Sequence, residues 1–177
     1  MSGQRQTGGR LSAEELAAWR GFLRVHSALL RQLDADLSAA HGLPLRSYEV
    51  LLLLDGAPDR RLRMTDLSRS VLLSPSGVTR LVDRLEREGL VNRERCADDG
   101  RGSYAVLTAA GDRQLTAARS THLAGVRRLF LDRFTDADLR VLAGHWDRVV
   151  PGAAGSDAAW RRTAPDRGAT EYADGDA

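Results

Sequence analysis

The stretch SPSGVTRLVDRLEREGLVNRERCADDGRGSYAVLT, residues 74–108, constrains the fold more than any other part of the chain because its periodicity changes midway. Ser74 is a natural N-cap, and Pro75 takes the first helical position, where a missing N–H costs nothing. At about 100° per residue, Val78, Leu81, Val82 and Leu85 fall on one stripe. Ser76, Arg80, Asp83 and Arg87 lie opposite, flanked by Thr79 and Arg84. Gly89 stops the helix, and residues 90–96 and 103–107 then read as two strands joined by the polar turn 97–102. An amphipathic helix running straight into a hairpin must pack its apolar stripe against neighbouring helices and leave its arginines outside.

Those neighbours are legible upstream. Ser12 with Glu15 forms a capping box, and Trp19, Phe22, Leu23, His26, Leu29, Leu30, Leu33 and Leu37 recur at helical spacing until Gly42 and Pro44. A second helix over residues 46–55 is apolar nearly all round and so is expected to be buried. Gly56 and Pro58 end it, and Thr65 is placed to cap a short third helix that turns Leu67 and Val71 inward. Short helix, tight turn, new helix and β-hairpin together spell a winged helix-turn-helix. The fold class expected is mainly α with a small β-hairpin wing. Downstream, Thr108 caps a helix carrying Leu115, Ala118, His122, Leu129 and Phe130. Thr135 with Asp138 forms a second capping box before Leu139, Leu142, Trp146 and Val149.

The residue types on the exposed face suit duplex DNA. An α-helix fits the major groove, serine and threonine allow close approach, and arginine bridges guanine O6 and N7. Ser76, Thr79 and Arg80 are therefore the expected base-edge residues, at the end of the helix capped by Ser74. Arg84 and Arg87 are expected at phosphate or solvent, and Arg93 and Arg95 alternate onto one face of the hairpin. At the tip, Arg101 can enter a narrow minor groove with Asp99 holding its guanidinium. Net charge is no guide. The 26 Lys+Arg positions, all arginine, stand against 24 Asp+Glu for a formal charge of only +2, and the positive charge concentrates mid-chain.

The run LRMTDLSRSVLLSPSGVTRLVDRLEREGLVNRERCADDGRGSYAVLTAAG, residues 62–111, resembles the winged-helix core of MarR-type transcriptional regulators. The resemblance is strongest in TRLVDRLEREGLV and in the wing, where the family's Asp-x-Arg tip falls on Asp99 and Arg101 and its Leu-Thr-x-x-Gly on residues 107–111. Gly100 departs from it by standing where the family often has another arginine. The resemblance covers about residues 11–150. It implies a homodimer in which the first and last two helices interlock with a second subunit, placing recognition helices roughly 34 to 36 Å apart on a palindromic operator. The domain organisation expected is an N-terminal tail (1–10) and a dimerisation helix (11–45), then the DNA-binding lobe (46–107), dimerisation helices (108–150) and a mostly disordered tail (151–177).

The same resemblance implies repression relieved by a small aromatic or phenolic effector bound between arms and lobe. Trp19, His26 and Arg46 can supply an aromatic wall, a titratable group and a carboxylate partner, although core packing or surface charge also accounts for each. Cys96, the single cysteine, excludes an internal disulfide and leaves a redox-sensing repressor as an alternative, with a packing residue as the plain reading. A winged helix used as a protein-interaction module is a further alternative. His26, His41, His122 and His145 are too scattered for a recognisable metal motif, and no cofactor is expected. The chain lacks the phosphate-binding glycine loop, the Gly-x-Ser-x-Gly elbow and the His-Glu-x-x-His helix, so an enzyme is not expected. No apolar run is long enough for a membrane span and the polar start MSGQRQTGGR lacks a signal-peptide core, so the cytoplasm is the expected location.

Overall fold

A computed structural model describes residues 9–71, 73–95 and 102–154 of the 177-residue chain. Six helices and three strands follow in the order α1 (Ala13–His41), α2 (Leu45–Gly56), β1 (Arg61–Arg63), α3 (Met64–Ser70), α4 (Pro75–Arg87), β2 (Val91–Arg95), β3 (Ser103–Leu107), α5 (Ala109–Leu129) and α6 (Asp136–Val149). The strands form an antiparallel sheet ordered β1-β3-β2, so the expected hairpin carries an additional edge strand.

The local signals that start and stop the helices act as the sequence suggests. The Ser12–Glu15 capping box is closed in both directions, and Gly42 ends α1 in the left-handed region. Thr108 accepts from the Gly111 amide at the start of α5, and the Thr135–Asp138 box opens α6. Helix α2 instead starts after Pro44, which has no side-chain cap to offer. The Asp34 carboxylate on α1 takes that role, accepting from the Leu45 N–H at 2.8 Å. Thr65 does not cap α3. The helix begins two residues earlier than such a cap implies, at Met64 directly after β1, with Arg63 at the cap position and no side-chain cap bond, since a guanidinium carries no acceptor. Phe130 lies just beyond the end of α5, where its ring meets that of Phe134 at a tilt of 57°, centroids 5.1 Å apart.

One core unites lobe and arms. Helix α2 is its centre, with Tyr48, Val50, Leu51, Leu52 and Leu54 buried on several sides, as its all-round apolarity predicts. Leu33 and Leu37 of α1, Leu115 and Ala118 of α5, the inward stripe of α4 and Val91, Ala105 and Leu107 of the sheet pack around it. The N-terminal half of α1 and all of α6 stay outside this core. Trp19, Phe22, Leu23, Val25, Val141, Trp146 and Val149 are exposed, Val149 by 74%. Among the described residues, much of the apolar surface that the sequence places on these helices is left uncovered.

Candidate nucleic-acid interface

Helix α4 is the centre of the site. The Ser74 hydroxyl accepts from the Gly77 N–H at 3.2 Å, Pro75 leads the first turn, and Val78, Leu81, Val82 and Leu85 are buried. The opposite face is open. Ser76, Thr79 and Arg80 are exposed side by side near the N-terminus, where unpaired amides and the helix dipole favour an approaching anion. The Ser74 and Ser76 hydroxyls are 3.2 Å apart, and Thr79 Oγ1 donates to the Pro75 carbonyl at 3.0 Å. That bond consumes the threonine proton, so Thr79 presents a methyl group and acceptor lone pairs, which suit a thymine methyl or an exocyclic amine. The Arg80 side chain touches only its own helix, through Nε to the Ser76 carbonyl at 3.4 Å, and forms no ion pair among the described residues. It is free to fork onto a base edge or a phosphate.

Two of the other arginines face elsewhere. Arg84 turns inward: Nη2 donates to Ser47 Oγ on α2, and Nε lies 3.8 Å from Glu88. Ser47 is buried and the Arg84 side chain only part-exposed, so this arginine braces α4 against α2 in place of the outward contact expected of it. Arg93 also departs from expectation. Its Nη2 meets Asp83 Oδ1 at 2.6 Å and its Nε lies 3.6 Å from Glu86 Oε2, both carboxylates on α4. Strand parity explains this, since Arg93 shares a sheet face with buried Val91 and points toward the helix. That parity is readable in the sequence; the partners Asp83 and Glu86 are not. Arg95, further along β2, is exposed. Asp99, Gly100 and Arg101 of the wing tip, and Cys96, lie outside the described residues.

A polar cluster joins this lobe to the arms. Asp55, nearly buried at the end of α2, pairs with Arg60 at 3.4 Å and with Arg119 of α5 at 3.3 Å. Arg60 also reaches Asp112 at 3.0 Å, and the hydrogen bond and charge of that carboxylate hold its pKa above the ordinary range. One turn beyond Arg119 on α5, the His122 ring packs against Tyr48 of α2 with centroids 4.6 Å apart and planes tilted by 30°. Burial raises the pKa of the tyrosine and lowers that of the histidine. Apart from Asp55–Arg60, five residues apart, these contacts join residues far apart in the chain and are not foreseeable from spacing.

The proposed effector residues are not brought together within the chain. Trp19 helps line an apolar cavity of about 620 Å³ with Phe22, Trp146, Val149 and Val150. His26 stacks on Phe22 at 6.0 Å. Arg46 follows Leu45, whose N–H is held by Asp34 on α1, so it sits beside the C-terminal half of that helix, about 22 Å along its axis from Trp19 at 1.5 Å per residue, and pairs with Glu49 at 2.8 Å on its own helix.

A capped amphipathic helix with an open Ser/Thr/Arg face, set after a short helix and flanked by an antiparallel wing, defines a winged helix-turn-helix DNA-binding protein. A model described as MarR family matches residues 41–102. The chain belongs to the MarR family and is a DNA-binding transcriptional regulator, not an enzyme. It is similar to AbsC of Streptomyces coelicolor, with 34% identity, a TM-score of 0.76, and coverage of 84% of this chain and 100% of AbsC. Sco3205 of the same organism, solved in complex with DNA, is 36% identical with a TM-score of 0.75 over 81% of this chain and 92% of its own. The transcriptional repressor YetL of Bacillus subtilis is 28% identical over 63% of this chain and 68% of YetL. No helix among the described residues is long and apolar enough to cross a membrane.

Proposed function

We propose that this regulator is a homodimeric, effector-responsive repressor of a nearby gene, acting in the cytoplasm on a palindromic operator. Helix α4 enters the major groove with Ser76, Thr79 and Arg80 at base edges, and the wing, through Arg95 and the Asp99–Arg101 tip, follows the adjacent minor groove. The observation that carries this reading is the open face of α4, where short hydroxyls and the unpaired Arg80 stand together above a buried stripe. Pairing of two copies through the apolar surface of α1 and α6 accounts for side chains such as Trp19, Phe22 and Val149 that one chain leaves in water. The cavity beside Trp19 and Trp146 offers an aromatic effector a place where binding can alter arm spacing. The relatives lend support: Sco3205 was solved on DNA, and YetL is a repressor.

The test is fluorescence anisotropy at fixed salt on the DNA upstream of the protein's own gene, against a scrambled duplex, with wild type and Arg80→Ala. Wild type should prefer the upstream DNA, and Arg80→Ala should lose about 1 to 3 kcal/mol along with some base preference. Unchanged affinity in the variant removes Arg80 from the interface.

A further inference from the structure

We propose that Arg93 is a positioning residue for DNA reading: it clamps the wing to the recognition helix, setting the rotation of α4 and hence what Thr79 and Arg80 reach. This rests on the DNA-reading proposal above and deepens it. From β2, Arg93 grips α4 along a single line. Its Nη2 donates to the Thr79 main-chain carbonyl at 3.2 Å and meets Asp83 Oδ1 at 2.6 Å, while Nε lies 3.6 Å from Glu86 Oε2. The Arg93 backbone N–H adds a bond to Glu86 Oε1 at 3.2 Å. Residues 79, 83 and 86 fall on one helical stripe, so the clamp resists rotation of α4 about its own axis.

Charge and geometry both set this arginine apart from a phosphate ligand. Its side chain is 28% exposed and its cation is already met by two carboxylates, so a phosphate arriving there faces net negative charge. Rotation matters because the reading side chains sit off the axis. At about 6 Å from the helix axis, a turn of about 10° displaces a contact by about 1 Å, enough to spoil a bidentate hydrogen bond. Thr79 supplies both ends of the link, since its carbonyl is gripped from the wing while its side chain faces outward.

The experiment compares wild type, Arg93→Gln and Arg93→Lys. The probes are the duplex that wild type enriches from a random-sequence pool and a scrambled duplex of equal length, across a salt series. Amide exchange of 79–86 and 91–95 is followed in the DNA-free proteins. In Arg93→Gln the preference for the enriched duplex should fall about tenfold, with scrambled-duplex affinity and the salt slope retained. Exchange should quicken in both segments while that of α2 holds, and Arg93→Lys should recover part of both effects, because lysine keeps one charged contact but cannot fork. A salt slope reduced by about 1 with both duplexes weakened alike makes Arg93 a phosphate contact and overturns the proposal. Unchanged preference or unchanged exchange overturns it too. If wild type enriches no sequence, the DNA-reading proposal itself fails, and amide exchange alone decides whether the clamp exists.

Discussion

Gly111 is the position where replacement by alanine should be most damaging relative to its size. A Cβ built there lies 2.2 Å from the Leu90 carbonyl oxygen and 2.8 Å from Leu107 Cδ1. Ordinary contact begins near 3.4 Å, so the first turn of α5 has to retreat by about 1.2 Å from a main-chain atom that cannot swing aside. Two bonds hold the junction against such a retreat: the Thr108 N–H donates to Leu90 O at 3.2 Å, and Thr108 Oγ1 donates to Gly89 O at 2.8 Å. Overpacking costs about 2 kcal/mol. Weakening both bonds costs about 2 kcal/mol more. The better helix propensity of alanine returns at most about 1 kcal/mol. Gly111→Ala should therefore lose about 3 kcal/mol in urea unfolding followed by far-ultraviolet circular dichroism at one fixed protein concentration. A loss below about 0.5 kcal/mol refutes the close-approach argument and means that α5 can shift along the wing without cost.

Removing the cap in Ser74→Ala should cost about 1 kcal/mol in the same assay, through loss of the bond to the Gly77 N–H. His122 makes stability depend on pH. Burial depresses its folded pKa, so below the unfolded value of about 6.5 the unfolded chain binds a proton that the folded chain refuses. Stability should thus decline as pH falls through 6.5, by up to about 1.4 kcal/mol per unit from this group, and His122→Phe should remove that component when unfolding is measured at pH 7.5 and 5.5. An equal pH dependence in the variant assigns the effect to other groups.

The chain's sequence was sufficient for whatever depends on neighbours within a few residues. The four caps at Ser12, Ser74, Thr108 and Thr135 are local hydrogen bonds between a side chain and an amide three positions on, so sequence spacing identifies them. The buried stripe of α4 and the burial of α2 follow equally from helical periodicity, whereas the family resemblance rests on the residues of TRLVDRLEREGLV and of the wing. Strand β1 is not legible in the sequence because Arg-Leu-Arg is too short to show alternation, and only its pairing with residues 104–106 makes it a strand.

What tertiary structure alone decided is where the charges go. Along α4 the sequence separates the arginines only by position, Arg80 toward base edges and Arg84 and Arg87 toward phosphate or solvent, and names none of their partners. Folding leaves Arg80 open, draws Arg84 to Ser47 on α2, and places Arg93 against Asp83 and Glu86. Likewise Asp55 meets Arg119 from 64 residues away, which no local pattern encodes. The physical reason is reach. Caps and stripes are set by backbone geometry over one or two turns, whereas the partner of a long, flexible guanidinium is chosen among all the acceptors that packing brings within its radius.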